Sequence, residues 1–143
     1  MNVSVNSRET GPRVGFVPLG RPTFDTALAA EMTAQARASL LRSGEVALAG
    51  PNELVMDLPG ARAAAQALAG TPPDLLVVFQ ASFADSTMVV ELARTVQAPV
   101  LLWAVPEERT GGRLRLNSFC GINLGGHGLR RAGIRYDYLY AAP

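Results

Sequence analysis

Cysteine and histidine occur once each in the 143 residues, as Cys120 and His127, and lysine does not occur at all. A lone cysteine has no partner for an intrachain bridge, which excludes a small disulfide scaffold and makes a reducing cytoplasm the default setting. No apolar run approaches the roughly twenty residues that a membrane helix needs, so no membrane role is expected. An excess of one charge is lacking too: thirteen basic and twelve acidic residues are scattered along the chain, net +1, and nothing directs it to nucleic acid. His127 has no second histidine or cysteine at ligand spacing, which argues against a local metal centre, and Cys120 is expected to be a buried thiol. What is present is a hydrophobic fraction of 48% against 17% charged residues, enough for one soluble domain with a single core. That domain is expected over residues 13–143, after a polar, flexible leader at 1–12 (MNVSVNSRETGP).

Along the domain, strand and helix signals alternate. Arg13 to Leu19 is a short apolar run closed by Gly20 and Pro22, the profile of a buried strand. Asp25 to Arg42 reads as a helix with Asp25 as its cap and with Leu28, Met32, Leu40 and Leu41 as its apolar positions. A short strand is expected at Glu45 to Ala49 and an extended piece at Leu54 to Met56. An alanine-rich helix then runs from Pro59-Gly60 to Leu68. Asp74 to Phe79 is uninterrupted and rich in branched residues, as a strand covered on both faces requires. It leads to a helix at Asp85 to Val96, with Met88, Leu92 and Val96 on one face, and to a strand at Val100 to Val105. A polar loop, a glycine-bearing helix from Asn117 to Arg131 and a last strand at Tyr136 to Tyr140 complete the series. Five such alternations call for parallel strands joined by right-handed crossovers. The expected fold is therefore a three-layer, doubly wound α/β sheet, flavodoxin-like or Rossmann-like, with strand order 2-1-3-4-5 and its ligand edge beyond the carboxyl ends of the strands.

The loops at that edge hold the candidate site residues. Gly15 to Thr23 does not make a phosphate loop, because Arg21 stands where lysine is needed and Pro22 removes an amide donor. Arg21 can instead donate fixed hydrogen bonds to hydroxyls or carboxylates, or form a surface ion pair. After the third strand, Gln80, Ser82, Phe83, Asp85 and Ser86 mix polar groups with a ring, as recognition of a polyol requires. Asp85 or Ser86 is equally suited to cap the following helix. Trp103 lies in an apolar strand, which favours a core role over a stacking platform for a sugar. Glu107 and Glu108 are adjacent, so their side chains point apart; they read as a solvated turn rather than an acid/base dyad. The glycines between Gly121 and Gly128 fall within a helix pattern and are read as close packing.

Two segments carry a further signal: DLLVVFQASFADST from Asp74 to Thr87, and APVLLWAVPEERTGGRLRLNSFCGINLGGHGLRRAG from Ala98 to Gly133. Together they resemble the amino-terminal domain of the L-fucose isomerase and L-arabinose isomerase family. The resemblance implies part of an aldose-ketose isomerase that moves hydrogen between two sugar carbons through an enediol-like intermediate with a divalent cation, commonly Mn2+. It places the metal ligands and acid/base carboxylates in later, C-terminal domains and leaves no catalytic or metal residue to assign in this chain. By motif position it implies that Arg21, Gln80, Phe83 and Asp85 contact a sugar or polyol substrate, in a homo-oligomer where the first domain reaches a neighbouring subunit's site. A free-standing sugar-binding or interaction domain without catalysis is the alternative, and a flavin or nucleotide binder has only fold analogy behind it.

Overall fold

The computed structural model describes residues 11–143; most of the leader expected at 1–12 lies outside the described residues. The elements are β1 (Arg13–Leu19), α1 (Thr26–Leu41), β2 (Ala47–Ala49), α2 (Leu58–Gly70), β3 (Leu75–Gln80), α3 (Ser86–Val96), β4 (Val100–Ala104), α4 (Ser118–Arg131) and β5 (Tyr136–Tyr140). The five strands form one sheet in the order β2-β1-β3-β4-β5, and every neighbouring pair is parallel. This is the doubly wound arrangement that the alternating pattern calls for. The extended piece around Val55 is present as a single parallel bridge to Leu19.

Helix starts follow their caps. Asp25, Asp57 and Asp85 each precede a helix and accept a backbone N–H of its first turn, from Leu28, Gly60 and Thr87 respectively. The two faces of the sheet bury separate cores. On one, Val17, Leu19, Leu76, Val78 and Leu102 pack against α2, α3 and α4; on the other, Val14, Phe16, Val77, Phe79 and Trp103 pack beneath α1. Of the apolar positions of α1, Leu28, Met32 and Leu40 pack against this core as expected, but the residues it buries fully are smaller. Ala29, Thr33 and Ala36 are the buried residues, while Leu28, Met32 and Leu40 flank them and Leu41 is exposed. Small side chains let the helix backbone settle close on the aromatic residues below it.

The α4 glycines serve the close packing expected of them. A Cβ at Gly121 would lie 2.5 Å from Gln80 Oε1, and one at Gly126 would lie 2.4 Å from the Tyr136 hydroxyl oxygen. Cys120 corrects the expectation of a buried thiol: it is exposed, because the α4 face that meets the sheet carries Gly121, Ile122, Gly125 and Leu129 instead. Trp103 is 5% exposed, its ring edge-on to Phe79, as the core reading requires.

Candidate functional site

The connections that follow β1 and β3 lead to helices on opposite faces of the sheet, which puts the switch point, the usual place for a ligand in this architecture, at the carboxyl ends of these two strands. A cleft of about 380 Å³ opens there, within the usual range of ligand pockets, between the loops that follow β1, β2 and β3. Arg21, Thr23, Met56, Asp57, Asp85 and Thr87 are among its walls.

Arg21 is half-buried, and its backbone N–H donates to the Ser82 hydroxyl at 3.0 Å, which ties the β1–α1 loop to the β3–α3 loop. Its guanidinium lies 4.7 Å from the centre of the Phe83 ring. Phe83 in turn leans on Phe24, with ring centres 6.1 Å apart, and the Arg113 guanidinium covers Phe24 at 5.4 Å. The four side chains form a tier of two neighbouring rings flanked by two cations, each cation held by the negative face of its ring. Among the described residues the Arg21 guanidinium has no carboxylate within salt-bridge distance, so its donors are open to the cleft; the surface ion pair that was its other reading is not formed.

Asp85 caps α3 at the edge of the cleft. One carboxylate oxygen accepts both the backbone N–H (2.9 Å) and the hydroxyl (3.0 Å) of Thr87, which caps α3. Those two bonds, helped by the nearby Arg21 charge, hold its pKa below the ordinary aspartate value. A pKa depressed by folding adds stability above the unfolded value, about 3.9, and that stability is lost as pH falls through the folded value. Asp85→Ala is therefore expected to cost about 1 kcal/mol at pH 7. The gap from the parent should shrink in urea melts at pH 3; an equal gap at both pH values would show that the charge plays no part.

Gln80 sits elsewhere. It is fully buried at the end of β3 beneath Gly121, its Oε1 accepts the Ala84 N–H at 3.2 Å, and its Nε2 has no partner among the described residues. It supports the β3–α3 loop from inside, whereas Arg21 and Asp85 line the cleft and Phe83 backs Arg21.

The β4–α4 loop carries a role that its sequence does not show. Glu107, read as part of a solvated turn, accepts the backbone N–H groups of Arg115, Leu116 and Asn117 at 2.6–3.2 Å. That ring of bonds brings Arg115 to Asp25, whose Oδ2 accepts two guanidinium N–H bonds at 2.7 and 2.9 Å. The Asp25 pKa is lowered by its bond from the Leu28 N–H and then by Arg115. Backbone bonds from Asp25 to Arg115 and from Phe83 to Leu116 complete the seam between the three loops. Asp57, a cleft residue not singled out from the sequence, left a local signal as an aspartate directly ahead of Leu58-Pro59.

No group of three or more His, Cys, Asp or Glu side chains among the described residues could hold a metal ion. The acids near the cleft are engaged otherwise: Asp25, Asp57 and Asp85 cap helices, and Glu107 binds the loop amides. These residues do not fit a divalent cation. Among the described residues no helix is long and apolar enough to cross a membrane.

The architecture and site define a doubly wound α/β domain with an arginine-bearing cleft at its switch point. The family model described as fucose/sulfoquinovose isomerase, N-terminal domain, matches residues 15–143, and the chain belongs to this family. Among similar curated proteins are sulfoquinovose isomerases from Alkalicoccus urumqiensis, 32% identical over 128 residues, and from Priestia aryabhattai, 29% identical over 128 residues. Each match covers 90% of this chain and 28% of the relative, so the chain spans under a third of the length of these relatives. A looser likeness, at TM-score 0.44 and 10% identity over 90% of this chain and 56% of the other, is to the solved structure of a galactofuranose binding protein.

Proposed function

We propose that the chain is the substrate-edge and assembly part of a sugar aldose-ketose isomerase, inactive alone, and that its cleft supplies one wall of a sugar site completed by further domains in a cytoplasmic homo-oligomer. The observation that carries this reading is the open Arg21 guanidinium, fixed on the Phe83 face in a cleft lined by Asp85. Family membership supports it. Arg21 offers several donors in a rigid plane, suited to sugar hydroxyls and to an anionic substituent such as the sulfonate of sulfoquinovose, the sugar named for the relatives. Asp85 accepts from a hydroxyl with the oxygen not used in capping. Gln80, a candidate contact by sequence, acts in this reading by holding the loop that presents Phe83 and Asp85.

The reaction moves a proton between adjacent sugar carbons. The chain's own part is to bind and orient the polyol and to close one side of the site to water. The divalent cation, Mn2+ by family resemblance, would be held outside the residues described here, and its chemistry is that of the complete enzyme.

The test is turnover by the protein made from its complete coding frame, with Mn2+, on sulfoquinovose, L-fucose and L-arabinose, followed by NMR. Isomerisation of at least one is expected. Arg21→Ala should raise KM for it by about 10- to 100-fold, the loss of one or two charge-assisted hydrogen bonds, with kcat changed far less. No turnover of any of the three, or an unchanged KM in the variant, would refute the reading. Saturable sugar binding by a catalytically silent complete protein would mark a binding module instead.

A further inference from the structure

The sheet is covered unevenly. Among the described residues α2, α3 and α4 pack on one face, and α1 alone packs on the other, over the β1 and β3 side chains. Beyond α1 that second face continues across β4 and β5. Side chains alternate along β5, and Tyr136 and Tyr140 belong to the α4 side, where Tyr136 packs on the core and Tyr140 touches Phe119. Asp137 and Leu139 therefore stand on the α1 side, in register with Leu101 and Trp103 of β4. Leu139 is 41% exposed and Asp137 is exposed, while Leu101 is only partly buried. The result is an apolar strip bearing one carboxylate, at the side of a sheet that is helix-covered elsewhere.

Two observations say what belongs there. The Trp103 indole N–H donates to the Ala141 carbonyl at 2.9 Å, so the chain leaving β5 is held by a side chain of the α1 face. The family match is to an N-terminal domain, and the relatives are more than three times as long as the matched region. We infer that the α1 face of β4 and β5 is the docking surface for a helix of the polypeptide that follows this domain in the family, with an apolar stripe on Leu101 and Leu139 and a basic residue opposite Asp137. A helix is the element that covers a parallel sheet, since a parallel sheet needs both faces buried. The inference rests on the family placement and not on which sugar is bound.

Photocrosslinking tests it without reference to activity. A benzophenone amino acid replaces Leu139 in one preparation and Leu101 in another, in the protein made from its complete coding frame, mixed with an isotopically labelled copy. Adducts to residues beyond 143 of the same molecule are expected, at positions three, four or seven apart for the two probes, the spacing of one helix face. Adducts to residues 11–143 of the labelled copy would identify a second copy as the occupant and overturn the inference. So would adducts spaced by two, or none at either position. Absence of sugar turnover by the unsubstituted protein, with the expected crosslinks formed in the probe-bearing ones, would refute the proposed function and leave this surface assigned.

Discussion

Phe79→Ala should cost this domain about 3–5 kcal/mol, the range for truncating a large buried aromatic. Phe79 is fully buried in the middle of the sheet, stacked on Phe16 at 5.5 Å and meeting the edge of Trp103 at 5.1 Å. Truncation leaves a cavity between two aromatic neighbours that cannot collapse, because Phe16 and Trp103 sit on strands paired to β3 on either side. Those two ring contacts add about 0.5–1.5 kcal/mol each beyond the buried area. Against a total stability of about 5–15 kcal/mol the loss is large, and the thermal midpoint should fall by roughly 10–20 °C. Phe79→Leu, which keeps most of the volume, should cost less than half as much. Calorimetry on both variants checks the pair; a loss below about 1 kcal/mol for Phe79→Ala would mean that the aromatic layer is not packed as described.

The second large effect comes from the backbone. Gly50 follows β2 with φ +116°, a region that only glycine enters readily, and a Cβ built there lies 2.2 Å from the Phe16 carbonyl oxygen. Phe16 cannot give way, since its strand is bonded to β2 on one side and β3 on the other. Gly50→Ala should therefore cost about 3 kcal/mol or more, combining dihedral strain with a backbone clash. Gly44 supplies the control. Its φ is +65° with nothing within 4 Å of a built Cβ, so Gly44→Ala should cost only the left-handed penalty of about 1–2 kcal/mol. Urea titrations of the two variants separate the terms, and equal losses would show that the close approach to Phe16 contributes nothing.

Much of this organisation is legible in the chain because it is local. The parallel core strands are continuous apolar runs, the caps at Asp25 and Asp85 directly precede their helices, and the α4 glycines recur inside a helical stretch. The placement of Arg21 and Asp85 at one cleft is legible for a topological reason: strand order 2-1-3 brings the loops after β1 and β3 together. Leu41 and Cys120 are exposed, and small residues of α1 and α4 are buried instead, for a shared reason. Hydrophobic size says which residues prefer burial, but the distance between helix and sheet decides which side chains fit between them. Alanine and glycine win wherever the backbones approach closely.

By itself, then, the sequence determined the alternation of strand and helix, the order of the sheet and the loops from which a site could be built, because each depends on neighbours a few residues apart and on the one-handed crossover between parallel strands. Only the tertiary structure decided the roles within those loops. Arg115 meets Asp25 across 90 positions, Glu107 gathers the amides of a loop eight to ten residues further on, and Gln80 turns inward beneath Gly121 while Arg21 rests on Phe83 in the open cleft. Hydrogen bonds and ring contacts act over a few ångströms in space and carry no mark along the chain, so these partners become known only when folding brings them together.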